Sequence, residues 1–77
     1  STEKVAFDFN QVLSGCIQGY QQIYQDVTFK LSTEENKKQS SKVNGSPEHI
    51  AQFLDKVIAN AVEFSIDNQV TISTKIQ

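Results

Sequence analysis

The chain has 77 residues, 38% of them apolar and 21% charged, and a formal net charge of −2. This length suits one small domain with a modest core, since such a chain buries only about 60% of its unfolded surface. The acidic balance argues against a nucleic-acid-binding protein, and we expect no membrane span, no signal peptide and a cytoplasmic domain. Cys16 is the single cysteine, which excludes an internal disulfide and a cysteine-based zinc site.

The first predicted element is an amphipathic helix from Phe9 to Tyr24. Asp8 or Asn10 can cap its start. Gly15 and Gly19 lie on one side, where either a neighbouring element approaches closely or the helix is weakened by about 1 kcal/mol per glycine. The apolar residues recur at helical spacing, opposite a face rich in Gln and Ser: Phe9, Val12, Leu13, Cys16, Ile17, Tyr20, Ile23 and Tyr24.

Two strands and a loop follow in the middle of the chain. Residues from Val27 to Ser32 alternate between apolar and polar, which predicts a half-buried strand. Residues 33–42 contain no apolar side chain and predict an exposed loop. Residues 42–45 can form a short strand that ends at a glycine turn.

The second helix has the strongest local signals. Ser46 is a favourable N-cap, Pro47 suits the first helical position, and Glu48 complements the positive end of the helix. One apolar face repeats through the helix: Ile50, Phe53, Leu54, Val57, Ile58 and Ala61. Asp67 and Asn68 predict a turn, and residues 70–76 alternate as a final strand.

This order of elements predicts an α+β fold, a two-layer sandwich of two helices on a small mixed sheet with one apolar face. Three strands leave open sheet edges, and open edges pair with other chains unless they are protected. We therefore expect a homodimer or a strand-exchanged oligomer.

Asn60 is the candidate site residue, because it lies at the border of the apolar stripe of the second helix. Phe53 and Phe64 flank it on the apolar side, and Lys56 and Glu63 lie further toward the polar side. A carboxamide at such a border is either hydrogen-bonded or solvated, or its oxygen binds Mg²⁺. Lys56, one turn earlier, can meet phosphate charge.

The region from Gly45 to Ser65 resembles the N-box of the ATP-binding (GHKL-type) domain of two-component sensor histidine kinases. Residues 7–13 are similar to the start of that family's first helix, and residues 27–31 and 70–76 occupy the positions of family strands. The N-box residues shared outright are Gly45, Gln52, Leu54, Asn60, Ala61, Phe64 and Ser65.

The resemblance implies that residues 1–77 are the N-terminal, incomplete part of such a domain, within the superfamily that includes gyrases and heat-shock chaperones. It implies that Asn60 is the Mg²⁺-ATP ligand and that Phe64 helps to form the nucleotide pocket. Lys56 replaces a usual Asn near the phosphates, and Glu63 stands where Lys or Arg is common. The gyrase branch usually has Glu at the position of Lys56, so the histidine-kinase branch fits better.

The implied parent protein transfers the γ-phosphoryl group of ATP to a histidine on its dimerisation helices and serves a response regulator. The family's Asp-x-Gly-x-Gly box and glycine-rich lid do not occur in these 77 residues, so we expect no useful ATP affinity and no bound cofactor in this fragment. His49 is not expected to be the phosphate acceptor. Whether the parent is anchored in the inner membrane stays open.

Several residues depart from the family pattern. Ser46 replaces the usual Asp and His49 the usual Arg. Lys56 can still neutralise phosphate charge, whereas Glu63 repels phosphates unless Mg²⁺ intervenes. Two alternatives stay open: a degenerate, non-catalytic histidine phosphotransfer or scaffold relative, and an unrelated α+β interaction module.

Overall fold

The computed structural model of the chain describes residues 3–34 and 41–75. The elements are β1 (Val5–Asp8), α1 (Phe9–Ile23), β2 (Thr28–Glu34), β3 (Lys42–Gly45), α2 (Pro47–Glu63) and β4 (Gln69–Lys75). The predicted α+β class is confirmed. Most of the predicted loop, residues 35–40, lies outside the described residues.

Helix α1 begins where a carboxylate can cap it. The Asp8 carboxylate accepts hydrogen bonds from the N–H of Asn10 at 3.0 Å and of Gln11 at 3.3 Å, so Asp8 rather than Asn10 is the cap. The helix ends one residue before the predicted end, and the N–H of Tyr24 donates to the carbonyl of Tyr20 at 2.8 Å. Local side-chain chemistry therefore fixes its start.

Helix α2 begins at the predicted position, directly after Ser46. The hydroxyl of Ser46 accepts from the N–H of His49 at 3.4 Å, and Pro47 occupies the first turn, where its missing N–H costs nothing. At the other end the N–H of Phe64 donates to the carbonyl of Asn60 at 3.1 Å. Phe64 is thus the C-cap residue, at the point where the chain leaves the helix.

The strands form two separate two-stranded sheets, not the single sheet predicted. Strands β1 and β3 are antiparallel, with Phe7 opposite Val43. Strands β2 and β4 are parallel, with Phe29 opposite Val70. The sequence does not predict β1. Four residues are too few to show an alternating pattern, and Asp8 already indicates the start of a helix.

The β2–β4 pair is longer and more regular than the sequence indicates. Strand β2 continues through Glu34, which pairs with Lys75, so backbone pairing with β4 extends the strand into residues without apolar side chains. The predicted turn before β4 is confirmed. Asp67 and Asn68 have φ values of 56° and 55°, the left-handed conformation that Asn and Asp adopt most readily in two-residue hairpin turns.

Both helices cover one face of the β2–β4 pair. Leu13, Leu54 and Ile58 form the buried centre, joined by Phe29 and Ile72 from the sheet. Inward residues alternate with exposed polar ones along β4, which is the pattern of a sheet that is covered on one face only. The partly buried residues that complete this cluster are Phe9, Val12, Cys16, Ile17, Tyr20, Ile50 and Val62.

The molecule is thin, 17 Å along its shortest axis. Neither described helix combines the length and the apolar character needed to cross a bilayer.

Candidate functional site

Helix α2 carries two apolar faces with different surroundings. Leu54 and Ile58 are 7% and 1% exposed and lie in the core. Phe53 and Phe64, by contrast, are 63% and 77% exposed, and Val57 is 44% exposed. The sequence places Phe53 and Val57 on the same apolar face as Leu54 and Ile58, but only the latter two are buried.

The exposed apolar residues of α2 form a continuous row with one polar member. At about 100° per residue, four side chains fall within an arc of about 60° on the helix surface. We call this row the exposed stripe, and its members are Phe53, Val57, Asn60 and Phe64. It adjoins the core face, so the apolar arc of α2 is wider than the part that the described residues cover.

Asn60 lies in the middle of the exposed stripe and faces solvent. Within residues 3–34 and 41–75 its side chain has no hydrogen-bond partner in the protein, so the amide is a solvated group and not a buried one that needs a partner. Its oxygen is therefore accessible to a metal ion. The sequence predicts that Asn60 lies beside Phe53 and Phe64, and the structure agrees. All three residues lie on the surface and not against the core.

Asn60 could supply one protein ligand to Mg²⁺. A carboxamide oxygen is the donor type that Mg²⁺ accepts, and Mg²⁺ commonly keeps waters and phosphate oxygens as its other ligands. The described residues contain no group of three or more His, Cys, Asp or Glu side chains suited to a metal ion. A magnesium ion at Asn60 would thus depend on the phosphates of a bound nucleotide.

Two opposite charges border the exposed stripe on the same flank. Lys56 precedes Asn60 by about one turn and Glu63 follows it by three residues, and both side chains are exposed. The two are seven residues apart, about 10.5 Å along the axis, too far to pair with each other. Among the described residues neither has an ion-pair partner.

A polar junction lies at the start of α1. The sequence predicts its helix cap but not its contact with Ser41. The Asp8 carboxylate accepts from the hydroxyl of Ser41 as well as from the two backbone N–H groups of the helix cap. The Ser41 hydrogen bond is the main reason why the pKa of Asp8 lies below its usual value. The Thr74 hydroxyl donates to the Asn10 side chain at 3.3 Å, which links α1 to β4.

This junction holds elements together and offers no free reactive group. The N–H of Phe9 donates to the carbonyl of Ser41 at 2.9 Å, so side-chain and backbone bonds meet at the same point. The helix cap at Asp8 was readable from the sequence, because the signal is local. The contribution of Ser41 was not, because it depends on a contact across 33 residues of chain.

Tyr20 and Cys16 have structural roles. The Tyr20 hydroxyl donates to the carbonyl of Asp55 at 2.9 Å, which joins α1 to α2, and its ring stacks on Tyr24. Burial, and secondarily Asp55, raises the pKa of the Cys16 thiol. The thiol therefore stays protonated and is a poor nucleophile at neutral pH. The prediction that Cys16 packs against the core is confirmed.

An open cavity of about 280 Å³ lies elsewhere, beside the first turn of α2. It is lined by Glu3, Val5, Ser46, Pro47 and Glu48. None of the predicted site residues contributes to it, and its two carboxylates disfavour a phosphate group there. The exposed stripe, and not this cavity, is therefore the candidate site.

Comparisons with known proteins leave the chain unassigned: no family model matches it, and a search of curated proteins returns no match. The resemblance to the histidine-kinase N-box thus rests on the residues of α2 themselves.

Proposed function

We propose that the chain is the N-terminal part of the ATP-binding domain of a sensor histidine kinase, and that the exposed stripe forms one wall of its nucleotide pocket. The observation that carries this proposal is that one part of the apolar arc of α2 is buried and the adjoining part is exposed. One face packs Leu54 and Ile58 into the core, and the other presents Phe53, Asn60 and Phe64 to solvent.

The composition of the exposed stripe suits a ligand wall. Small-molecule pockets are lined mainly by apolar and aromatic side chains, with a few polar groups that fix orientation. Phe53 and Phe64 provide aromatic surface on either side of the Asn60 amide. Phe64 is also the C-cap of α2, so its ring lies where the helix ends.

The one polar residue of the stripe and the two charged residues that border it each have a role in this proposal. Asn60 contributes one oxygen ligand to Mg²⁺, whose other ligands are phosphate oxygens and water. Lys56 lies one turn away and offsets phosphate charge as a flexible point charge. Glu63 repels phosphate unless the metal ion lies between them.

The longer protein would transfer the γ-phosphoryl group of ATP to a histidine on its dimerisation helices and act with a response regulator. Catalysis of this kind depends mainly on positioning and on electrostatic stabilisation. Residues 1–77 supply only part of such a site, since they contain three glycines, Gly15, Gly19 and Gly45, and no glycine-rich phosphate loop. We therefore expect negligible ATP affinity from this chain alone.

The second candidate is a non-catalytic relative, a histidine phosphotransfer or scaffold protein whose nucleotide site has degenerated. The exposed Glu63 carboxylate on the flank of the stripe favours it, because a carboxylate weakens phosphate binding. The two candidates differ in the longer protein: the first requires an Asp-x-Gly-x-Gly box after residue 77, and the second does not.

The decisive experiment is autophosphorylation of the longer protein with Asn60→Ala, beside Gln52→Ala as the matched control. Both side chains are exposed amides on the same helix, but only Asn60 belongs to the exposed stripe. We expect Asn60→Ala to abolish phosphotransfer and Gln52→Ala to retain it, with equal urea midpoints for both variants. Full activity of Asn60→Ala would refute the proposal.

A further inference from the structure

We propose that, while no nucleotide occupies it, the exposed stripe of α2 is a self-association surface, on which the α2 helix of a second copy of this chain packs in the antiparallel direction. This proposal does not depend on the kinase assignment. It rests on the spacing of the stripe, on the charges beside it and on the exposure of its apolar side chains.

The spacing of the stripe is that of a helix–helix seam. Its four residues are separated by four, three and four positions, which is the heptad pattern of residues that interlock between two helices. The row is already exposed on a formed helix of 17 residues. A partner helix therefore needs no rearrangement of the core to pack there.

Charge determines the direction of the partner. A two-fold axis perpendicular to α2 places the same flank of both helices side by side, whereas a parallel pair places opposite flanks together. Lys56 and Glu63 lie on the same flank and lack ion-pair partners among the described residues. In the antiparallel pair Lys56 of each copy meets Glu63 of the other, twice by symmetry.

The same register aligns the apolar residues. With the two-fold axis between residues 58 and 59, Phe53 faces Phe64 of the second copy and Val57 faces Asn60. The two Asn60 amides are then offset by about three residues, or 4.5 Å along the axis, within reach of each other at the centre of the seam. Aromatic contacts at both ends and an amide pair at the middle make the surface self-complementary.

The stripe has apolar side chains that a partner helix can bury. Three of the strongly exposed apolar residues, Phe53, Val57 and Phe64, belong to the stripe. Burying them gives the association an apolar driving force.

Sedimentation velocity of the chain, over a wide range of concentration, tests the proposal with a charge-reversal cycle. Lys56→Glu and Glu63→Lys should each raise the dimer dissociation constant about tenfold, because two attractions become two repulsions. The double variant should restore the original value, since the pairs are re-formed with reversed sign. Within one helix these residues do not meet, so the restoration can come only from a contact between copies.

Phe64→Ser should yield a monomer, and Ile23→Ser is its matched control. Ile23 is 70% exposed at the end of α1, close to the 77% of Phe64, but it lies outside the stripe. A wild-type chain that is monomeric throughout, or a double variant that does not restore association, would overturn the proposal. So would a dimer that tolerates every α2 variant, because its contact must then lie outside the stripe.

Self-association and the proposed function can each be refuted independently of the other. A monomeric chain whose longer protein loses kinase activity with Asn60→Ala refutes self-association alone. A dimer that obeys the charge cycle, together with full activity of Asn60→Ala, refutes the kinase assignment alone.

Discussion

The two apolar faces of α2 are chemically alike but differ in what covers them. Leu54 and Ile58 lie against α1 and the β2–β4 sheet, whereas Phe53 and Phe64 lie on the surface. A helix of 17 residues displays an apolar arc wider than two elements of this chain can cover. Helical periodicity therefore locates an apolar arc, whereas packing against other elements determines which part of that arc is buried.

The largest predicted difference between the two faces is in stability. Ile58→Ala should lower the free energy of unfolding by about 2–5 kcal/mol, since it opens a cavity at a side chain that is 1% exposed. Phe53→Ala should change it by less than about 0.5 kcal/mol, because that ring contributes little to the core. Urea denaturation at low protein concentration measures both. Equal losses would show that the exposed stripe is part of the core.

The solvent face of α1 differs from the exposed stripe of α2, because it is exposed but not apolar. A Cβ added at Gly15 or Gly19 would have no neighbour within 4 Å. The close-approach interpretation of these glycines therefore finds no support in the described residues. Gly15→Ala and Gly19→Ala should each stabilise the protein by up to about 1 kcal/mol, through helix propensity.

Thermal unfolding of the two alanine variants, each compared with Gln18→Ala on the same face, checks this expectation. A loss of stability in either glycine variant would mean that another surface approaches α1 there. In that case α1, like α2, would have a face that the described residues leave exposed and that a further surface contacts.

The polar junction at Asp8 gives the smallest effect, and it depends on pH. Its pKa in the folded state lies below the ordinary value of 3.8, mainly because Ser41 donates to the carboxylate. Its stabilising contribution is therefore fully present above about pH 4 and is lost as the pH falls through the folded pKa. Asp8→Asn keeps a capping oxygen but cannot titrate.

Urea midpoints between neutral pH and pH 2 should consequently fall less steeply for Asp8→Asn than for the wild type. Ser41→Ala is the companion variant, since it removes the main cause of the lowered pKa and should also flatten the profile. Parallel profiles for all three proteins would contradict this account of the junction.

Local signals explain what could be predicted. Ser46 and Pro47 define the start of α2, and the Asp67–Asn68 turn follows from the left-handed preference of these residues. The separation of the strands into two sheets could not be predicted, because the pairing of Phe7 with Val43 crosses a long stretch of chain. The exposure of Phe53 could not be predicted either, since burial depends on neighbours that periodicity does not reveal.

We propose that the exposed stripe of α2 faces a nucleotide in the longer protein. The most direct measurement is an NMR titration of that protein with Mg²⁺-ADP, read from the Asn60 side-chain amide and the Phe64 ring, with the Leu54 and Ile58 methyl groups as the internal control. We expect saturable shifts at Asn60 and Phe64, small shifts at the core methyl groups, and no saturable shift in the 77-residue chain alone. Saturable binding that leaves Asn60 and Phe64 unchanged would contradict the account.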